Sequence, residues 1–437
     1  MASPKQRLLV GWSKLVSSNL LAAVPFLVAN AIAARSLGIS GFGQVAIVLA
    51  YTKVVDGLFN FQSVNVLTRF LTEALEDKTS QNFRGLVKAG VLVDFITALF
   101  ACGVAVTGIL LLQKVIGIEE ELVVYALLFC LIIPTRILGV TEAILRSFNK
   151  FWTIGFRQLL LAILVLCGWM VVAWKNYGPE AYLMVWLVAE LITNLWFITR
   201  AFVALDGTSI PDLVKANAKA AIQKAQGFWK MLFQTNITFG IRLLSQDPDI
   251  VIVGAVFGSS AAGILRAAKD IANSAGQIGR PIQQVVSPEI VRHLQYAGPR
   301  AAVAYAKQTA AMFAIPAGLF ALSSFWWSGH VLAAIYGSDF YEAGTIAAVL
   351  FVAKAFYLSG VTLLPITIAL GNSGDFLWAV VLATICYFAV MLVALPSLGL
   401  MAIAVAHIVF EVTWTLTGWR RVQVAMQRAE NTRQEPS

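Results

Sequence analysis

Charge is scarce in this 437-residue chain: only 13% of it is Asp, Glu, Lys or Arg, while 59% is hydrophobic. Soluble domains carry about 25% charge and about 45–50% apolar residues, so a water-soluble enzyme or binding module is excluded. There are only four cysteines, Cys102, Cys130, Cys167 and Cys386, each isolated inside an apolar block. That spacing excludes a disulfide framework, a Cys-based metal centre and a dithiol redox motif. The three histidines, His293, His330 and His407, are scattered, which leaves no His-based metal site and no metal or cofactor to expect. Also missing are the roughly ten-residue alternating segments of a membrane barrel, a phosphate-binding Gly-x-x-x-x-Gly-Lys-Ser/Thr loop and a His-Glu-x-x-His zinc motif. Gly41-Phe42-Gly43-Gln44-Val45-Ala46 fits Gly-x-Gly-x-x-Ala, but no strand precedes it and no soluble βαβ unit surrounds it, so a dinucleotide site is excluded.

What is present is apolar sequence in long blocks, with a mean hydropathy of +0.78. About 20 apolar residues cross the roughly 30 Å hydrocarbon core as a helix. Such blocks fall near 15–36, 42–64, 86–112, 121–147, 152–174 and 180–204, then near 228–256, 261–290, 302–328, 345–370, 376–395 and 399–420. The fold class is therefore all-α and polytopic, with twelve expected transmembrane helices. Ala31-Ile32-Ala33 resembles a signal-cleavage site, but the segment before it is long and membranous sequence continues after it, so it is read as the first helix. Asn236-Ile237-Thr238 fits a glycosylation acceptor but lies within an apolar span and is discounted.

Basic residues alternate with the spans. Lys5, Arg7 and Lys14 precede the first; Arg69, Lys78, Arg84 and Lys88 follow the second; Arg146 and Lys150 follow the fourth. Lys215, Lys219, Lys224 and Lys230 follow the sixth, Arg292 and Arg300 the eighth, and Arg420, Arg421 and Arg428 the last. The intervening loops offer Arg35, Lys114 and Lys175 beside Glu119, Glu120, Glu121, Asp339 and Glu342. The positive-inside rule then places both termini in the cytoplasm. It also accounts for the net charge of +9 without a nucleic-acid partner.

The polar stretch 205–227 divides the chain. The expected organisation is a six-helix lobe over 1–204, an amphipathic cytoplasmic linker over 205–227 lying on lipid headgroups, a second lobe over 228–421 and a tail over 422–437. Leu37–Gln44 in the first half and Phe257–Ile264 in the second each hold Gly-x-x-x-x-Gly, Gly38/Gly43 and Gly258/Gly263, between the first two spans of their set. The matching placement points to duplication, and six spans per repeat make the repeats parallel, with a cleft at their interface as the natural substrate site.

Ionisable groups inside these spans are costly, about 2.5–3.5 kcal/mol each on insertion scales, and normally face a bundle interior or a wet cavity. The second span carries Lys53, Asp56 and Asn60; the third Asp94; the fourth Arg136 and Glu142; the sixth Glu190. The seventh has Thr235, Thr238, Arg242, Ser245 and Asp249; the eighth Arg266, Lys269, Asp270, Asn273, Gln277 and Arg280; the tenth Lys354; the twelfth His407 and Glu411. Some have a purely structural reading as intrahelical pairs: Lys53 with Asp56, Arg266 with Asp270, Glu142 with Arg146. Arg280, near a span end, could snorkel. Taken together, Lys53, Arg136, Arg242, Arg266, Lys269 and Lys354 suggest a cationic cavity suited to an anion, with Arg offering a planar fork and Lys a point charge. Asp56, Asp94, Glu190, Asp249 and Glu411 are the candidates for a coupling proton or sodium ion. Pro25, Pro134, Pro248, Pro281, Pro316 and Pro365 fall within or at the edges of spans, where they kink helices for packing or for motion.

Residues 34–51 (ARSLGISGFGQVAIVLAY), 249–272 (DIVIVGAVFGSSAAGILRAAKDIA), 335–350 (IYGSDFYEAGTIAAVL), 370–375 (LGNSGD) and 397–406 (SLGLMAIAVA) resemble segments of bacterial polysaccharide flippases. These form the O-antigen and exopolysaccharide branch of the multidrug/oligosaccharidyl-lipid/polysaccharide exporter superfamily. The chain departs from that pattern at Leu265-Arg266, where the family usually has Tyr, and this adds a cation. The resemblance implies a non-enzymatic inner-membrane transporter of two six-helix lobes. It would move an oligosaccharide linked to undecaprenyl pyrophosphate to the periplasmic leaflet by alternating access, alongside a polysaccharide polymerase and a chain-length regulator. A multidrug antiporter of the same superfamily is the alternative, though its mostly cationic substrates suit a basic cavity less well. A lipid II flippase would have fourteen spans, against the twelve expected here. A membrane-embedded polymerase would show a large periplasmic loop or an acidic metal motif.

Overall fold

A computed structural model describes residues 4–74, 80–205, 209–244, 248–276, 279–371 and 373–434, with side chains for all of these except 4–22, 210, 275, 276, 280, 281, 284, 373–376 and 432–434. The side chains of Lys5, Arg7, Lys14, Lys78, Ser245, Gln277, Arg280 and Pro281, and most of the 370–375 turn, fall outside that description. The chain packs as two compact units, Val28–Ala262 and Met1–Leu27 with Gly263–Ser437. Residues 228–262 pack with the earlier spans, and residues 1–27 with the later ones.

α1 (Pro4–Phe59), which belongs to the first unit from Val28 onward, is two helices joined at Gly38, whose φ of 67° and ψ of −175° are not helical. A Cβ at Gly38 would meet open space, so glycine is required there for its backbone conformation, not for room. α2 (Val64–Glu73) follows a four-residue break. α3 (Gln81–Ile116) starts at Ser80, whose hydroxyl accepts from Phe83 N, and stops at left-handed Gly117, which donates to Gln113 O. The expected fourth span is broken into α4 (Val123–Cys130) and α5 (Leu138–Ser147), with a short 3₁₀ turn at Ile133–Thr135. α6 (Phe151–Trp174) and α7 (Pro179–Ala204) are continuous.

The linker forms two short helices, α8 (Ile210–Lys215) and α9 (Ala218–Lys224). They are clamped to α3. A Cβ on Gly85 would lie 2.7 Å from the Ala221 methyl, and Lys88 Nζ donates to the carbonyls of Val214 and Ala216 at 2.5 and 3.0 Å. Ser209 and Asp212 form a capping box; those hydrogen bonds, helped by Arg84, hold the Asp212 carboxyl below the usual carboxylate range. α10 (Phe228–Leu244) and α11 (Pro248–Phe257) complete the unit. Its core gathers Val66, Leu67, Phe83, Val140, Phe197, Phe228 and Leu232 from five helices.

The second unit takes in most of α12 (Ser259–Gly276), then α13 (Gly279–Tyr336), α14 (Ala343–Ser359), α15 (Leu363–Ala369), α16 (Ser373–Leu398) and α17 (Met401–Gln434). α13 is two helices meeting at Gly298 (φ 86°, ψ 175°) ahead of Pro299. Among the described residues, nine helical stretches are long and apolar enough to cross a membrane, the Gly38 and Gly298 stretches among them. α10 and α11 are 17 and 10 residues long, below that length, and α12 carries the Arg266–Asn273 polar stripe. Among the described residues there is no strand. The chain is an all-α, polytopic membrane protein.

Candidate functional site

Two helices of the first unit are interrupted within their apolar length, α1–α2 at residues 60–63 and α4–α5 at 131–137. Non-helical backbone in hydrocarbon must find its hydrogen bonds inside the protein. Side chains from two helices, α3 and α10, supply them at the first break. Phe61 N donates to Thr97 Oγ1 at 3.1 Å, Gln62 N to Asn236 Oδ1 at 2.8 Å, and Ser63 N to Asp94 Oδ1 at 3.2 Å. Asp94 uses its other oxygen at the second break, where Val140 N donates to Oδ2 at 2.7 Å. One carboxylate thus starts both α2 and α5, where helix N-termini favour negative charge. The fit is tight, since a Cβ on Gly139 would lie 2.5 Å from Ser63 N and 2.7 Å from Asp94 Oδ2.

An ion cluster sits beside these breaks. Arg136, in the 131–137 break, donates through Nε and Nη2 to Glu190 at 2.7 and 3.0 Å. Its Nη1 lies 3.2 Å from Asp56 Oδ2. All three side chains are nearly buried, 7–13% exposed. Each acid has an Asn one helical turn later on the same face. Asn60, after Asp56 on α1, donates to Asp56 Oδ1 at 2.9 Å and Arg136 O at 3.3 Å. Asn194, after Glu190 on α7, donates to Thr135 Oγ1 at 3.0 Å and accepts from Arg157 Nη2 at 3.0 Å. Two acid-x-x-x-Asn faces therefore grip the Thr135-Arg136 break from either side. Buried charges need this kind of pairing. Arg136 is held by two carboxylates, so its fork is already occupied.

The remaining expected site residues are spread over both units. Lys53 is exposed, Arg242 half-buried and Asp249 fully buried, all in the first unit. Asp249 Oδ1 accepts from the adjacent Ile250 N at 2.8 Å. In the second unit Arg266 Nε lies 2.9 Å from Asp270 Oδ1, the intrahelical couple weighed above. Lys269 and Glu411 are buried and Lys354 is half-buried. Glu142 and Arg146 also pair, at 2.5 Å. Arg136, Asp56, Glu190 and Asp94 are thus brought to one place, while Arg266, Lys269, Lys354 and Glu411 belong to the other unit.

Sequence reasoning missed Arg157, Asn194, Thr135 and Thr97, and it set Asn236 aside as a failed glycosylation signal; Asn236 is instead the cap for Gln62 N. The repeated acid-x-x-x-Asn spacing, at 56/60 and 190/194, was the available signal. Nothing in the sequence linked Arg157, a single cation in apolar α6, to the 131–137 break.

No family model matches the chain. It is 26% identical over 279 residues to the inner membrane protein YghQ of Escherichia coli (strain K12), spanning 63% of this chain and 78% of that protein. Among solved structures, the lipid II flippase MurJ in an inward closed conformation superposes with a TM-score of 0.71 at 13% identity, over 94% of this chain and 87% of MurJ. A multidrug-resistance MATE family transporter of the MOP superfamily, in an inward-facing conformation, also gives 0.71 at 12% identity, over 94% of this chain and 96% of that one. The fold is that of the MOP transporters and flippases, and these solved relatives are not enzymes. The chain is a multi-pass protein of the bacterial inner membrane.

Proposed function

We propose that this chain is a flippase that moves an oligosaccharide carried on undecaprenyl pyrophosphate across the inner membrane by alternating access, for surface polysaccharide synthesis. The observation that carries the reading is the fold shared with a lipid-linked-substrate flippase over 94% of the chain. The basic side chains at bilayer depth, Lys53, Arg136, Arg242, Arg266, Lys269 and Lys354, support an anionic substrate. On this reading a polysaccharide polymerase and a chain-length regulator handle the product, the two repeats act as six-helix lobes, and both termini face the cytoplasm.

The direct test is a proteoliposome assay with a fluorescent polyprenyl-diphosphate oligosaccharide. Protein-dependent exposure of the sugar to an external enzyme is expected, and lipid-like background leakage would overturn the reading. In cells, Arg266→Ala with Lys269→Ala is expected to abolish surface polymer while membrane insertion stays normal. One observation favours a second reading, a cation-coupled multidrug antiporter: two carboxylates, Asp56 and Glu190, surround a single Arg136. Efflux of a cationic dye, with no sugar translocation, would select it.

A further inference from the structure

Four ionisable side chains meet around the 131–137 break, and they are not treated alike. Both acids, Asp56 and Glu190, are bound to Arg136. Arg157, on α6, receives only a neutral acceptor, Asn194 Oδ1 at 3.0 Å. Among the described residues no carboxylate pairs with it, and its Nε is buried with no hydrogen-bond acceptor. The guanidinium lies 5.4 Å from the centroid of the buried Phe197 ring. That stacking covers one face of the guanidinium. Asn194 is fully buried and is itself fixed by its bond to Thr135 Oγ1, which in turn donates to Ile132 O at 2.7 Å. The amide therefore holds the guanidinium in place without neutralising it.

Arg157 feels Glu190 only at a distance, with no direct carboxylate contact among the described residues, and a buried donor without an acceptor is a costly arrangement. An oxyanion would supply that acceptor. Phosphate matches the arginine fork, because its oxygens accept parallel N–H bonds from adjacent nitrogens. We propose that Arg157 is an oxyanion-contacting residue, with Asn194 and Thr135 as its positioning residues, and that its ligand is a phosphate or diphosphate group. The contrast with Arg136 assigns the roles: Arg136 holds the broken helix, and Arg157 is the cation left available to a ligand. The inference rests on the flippase reading only for the source of that group, the diphosphate of the lipid-linked substrate.

The test uses the purified full-length protein in micelles, titrated separately with inorganic pyrophosphate, a polyprenyl diphosphate and phosphatidylglycerol. The variants are Arg157→Gln, Arg157→Lys and Asn194→Asp. Wild type is expected to bind the diphosphates. Arg157→Gln should weaken that binding roughly tenfold or more, the scale of a charge-assisted hydrogen bond, and Arg157→Lys should retain part of it. Asn194→Asp places a carboxylate directly on the guanidinium, so it should lose diphosphate binding; it decides the matter if Arg157→Gln does not fold. A purely structural Arg157 would leave ligand affinity unmoved in Asn194→Asp. Wild-type affinity in both Arg157→Gln and Asn194→Asp, or no binding of any of the three ligands by wild type, would overturn the assignment. Arg157-dependent binding of phosphatidylglycerol as strong as that of the diphosphates would keep the oxyanion site and make its source a lipid headgroup. Diphosphate binding without sugar translocation would keep the site and remove the flippase reading.

Discussion

The first unit interrupts its helices at 60–63 and 131–137; the second interrupts α14–α15 at 360–362. The two regions solve the backbone problem with opposite chemistry. At the first, side-chain acceptors on Thr97, Asn236 and Asp94 take up N–H groups at helix starts. At the second, side-chain donors take up carbonyls at a helix end. Trp419 Nε1 donates to Ser359 O at 3.1 Å and Thr415 Oγ1 to Phe356 O at 3.3 Å. Thr362 Oγ1 ties the same break to Ala306 O of α13 at 3.0 Å. The described bonds at 360–362 involve neutral groups, whereas Asp94 and the Asp56–Arg136–Glu190 cluster place charge at the breaks of the first unit. A neutral cap stabilises a break. A charged one also ties it to other helices and raises the cost of losing any member.

That difference can be tested by mutation, with effects in decreasing order. Arg136→Ala leaves Asp56 and Glu190 buried and uncompensated, and is expected to cost about 3–5 kcal/mol in equilibrium unfolding in mixed micelles. A loss no larger than that of a single neutral hydrogen bond would dissolve the comparison. Asp94→Asn keeps one acceptor oxygen where two N–H groups need one each; a loss of about 1–3 kcal/mol is expected, with faster hydrogen exchange at Ser63 and Val140 together. Exchange rising at only one of them would show that the breaks are not linked through Asp94. Trp419→Phe and Thr362→Val each remove one neutral bond in the second unit and should cost about 0.6–1 kcal/mol. The smallest effect concerns the linker. The Asp212 carboxyl is held low, chiefly by Ser209, so its contribution to the α8 cap is complete above the ordinary carboxylate value of about 3.9 and is lost as pH falls through the depressed folded value. Amide exchange over residues 210–215 should rise in that acidic window, and Asp212→Asn should remove the pH dependence.

Much of the architecture was legible in the sequence because lipid imposes a one-dimensional rule: apolar runs of helix length become spans. The Gly38 turn was readable from its glycine spacing, and Gly258, its counterpart, also has a left-handed φ, of 84°. The hydroxyls of Ser40 and Ser259, beside these two glycines, meet at 2.7 Å. The linker's helical character was readable too, but its seat against α3 was not. That seat depends on Gly85 leaving room for Ala221 and on Lys88 reaching two carbonyls, neither of which leaves a periodic trace.

The polar groups divide in the same way. Spacing alone identified Arg266 with Asp270 and Glu142 with Arg146, because partners one helical turn apart are fixed by helix geometry. Asp56, Arg136 and Glu190 could be recognised individually as costly residues, but not as one cluster, since they are separated by 80 and 54 residues in the chain. Asp94 drew attention as a charge in a span and proved to be the anchor of two helix starts. The sequence by itself determined that this chain spans the membrane and which side chains would be expensive to bury there, because solvation cost depends on residue type and surrounding hydropathy. Only the tertiary structure decided which of those charges neutralise one another and which, like that of Arg157, find only a neutral amide, because Coulomb and hydrogen-bond energies depend on distances of a few ångströms that chain order does not encode.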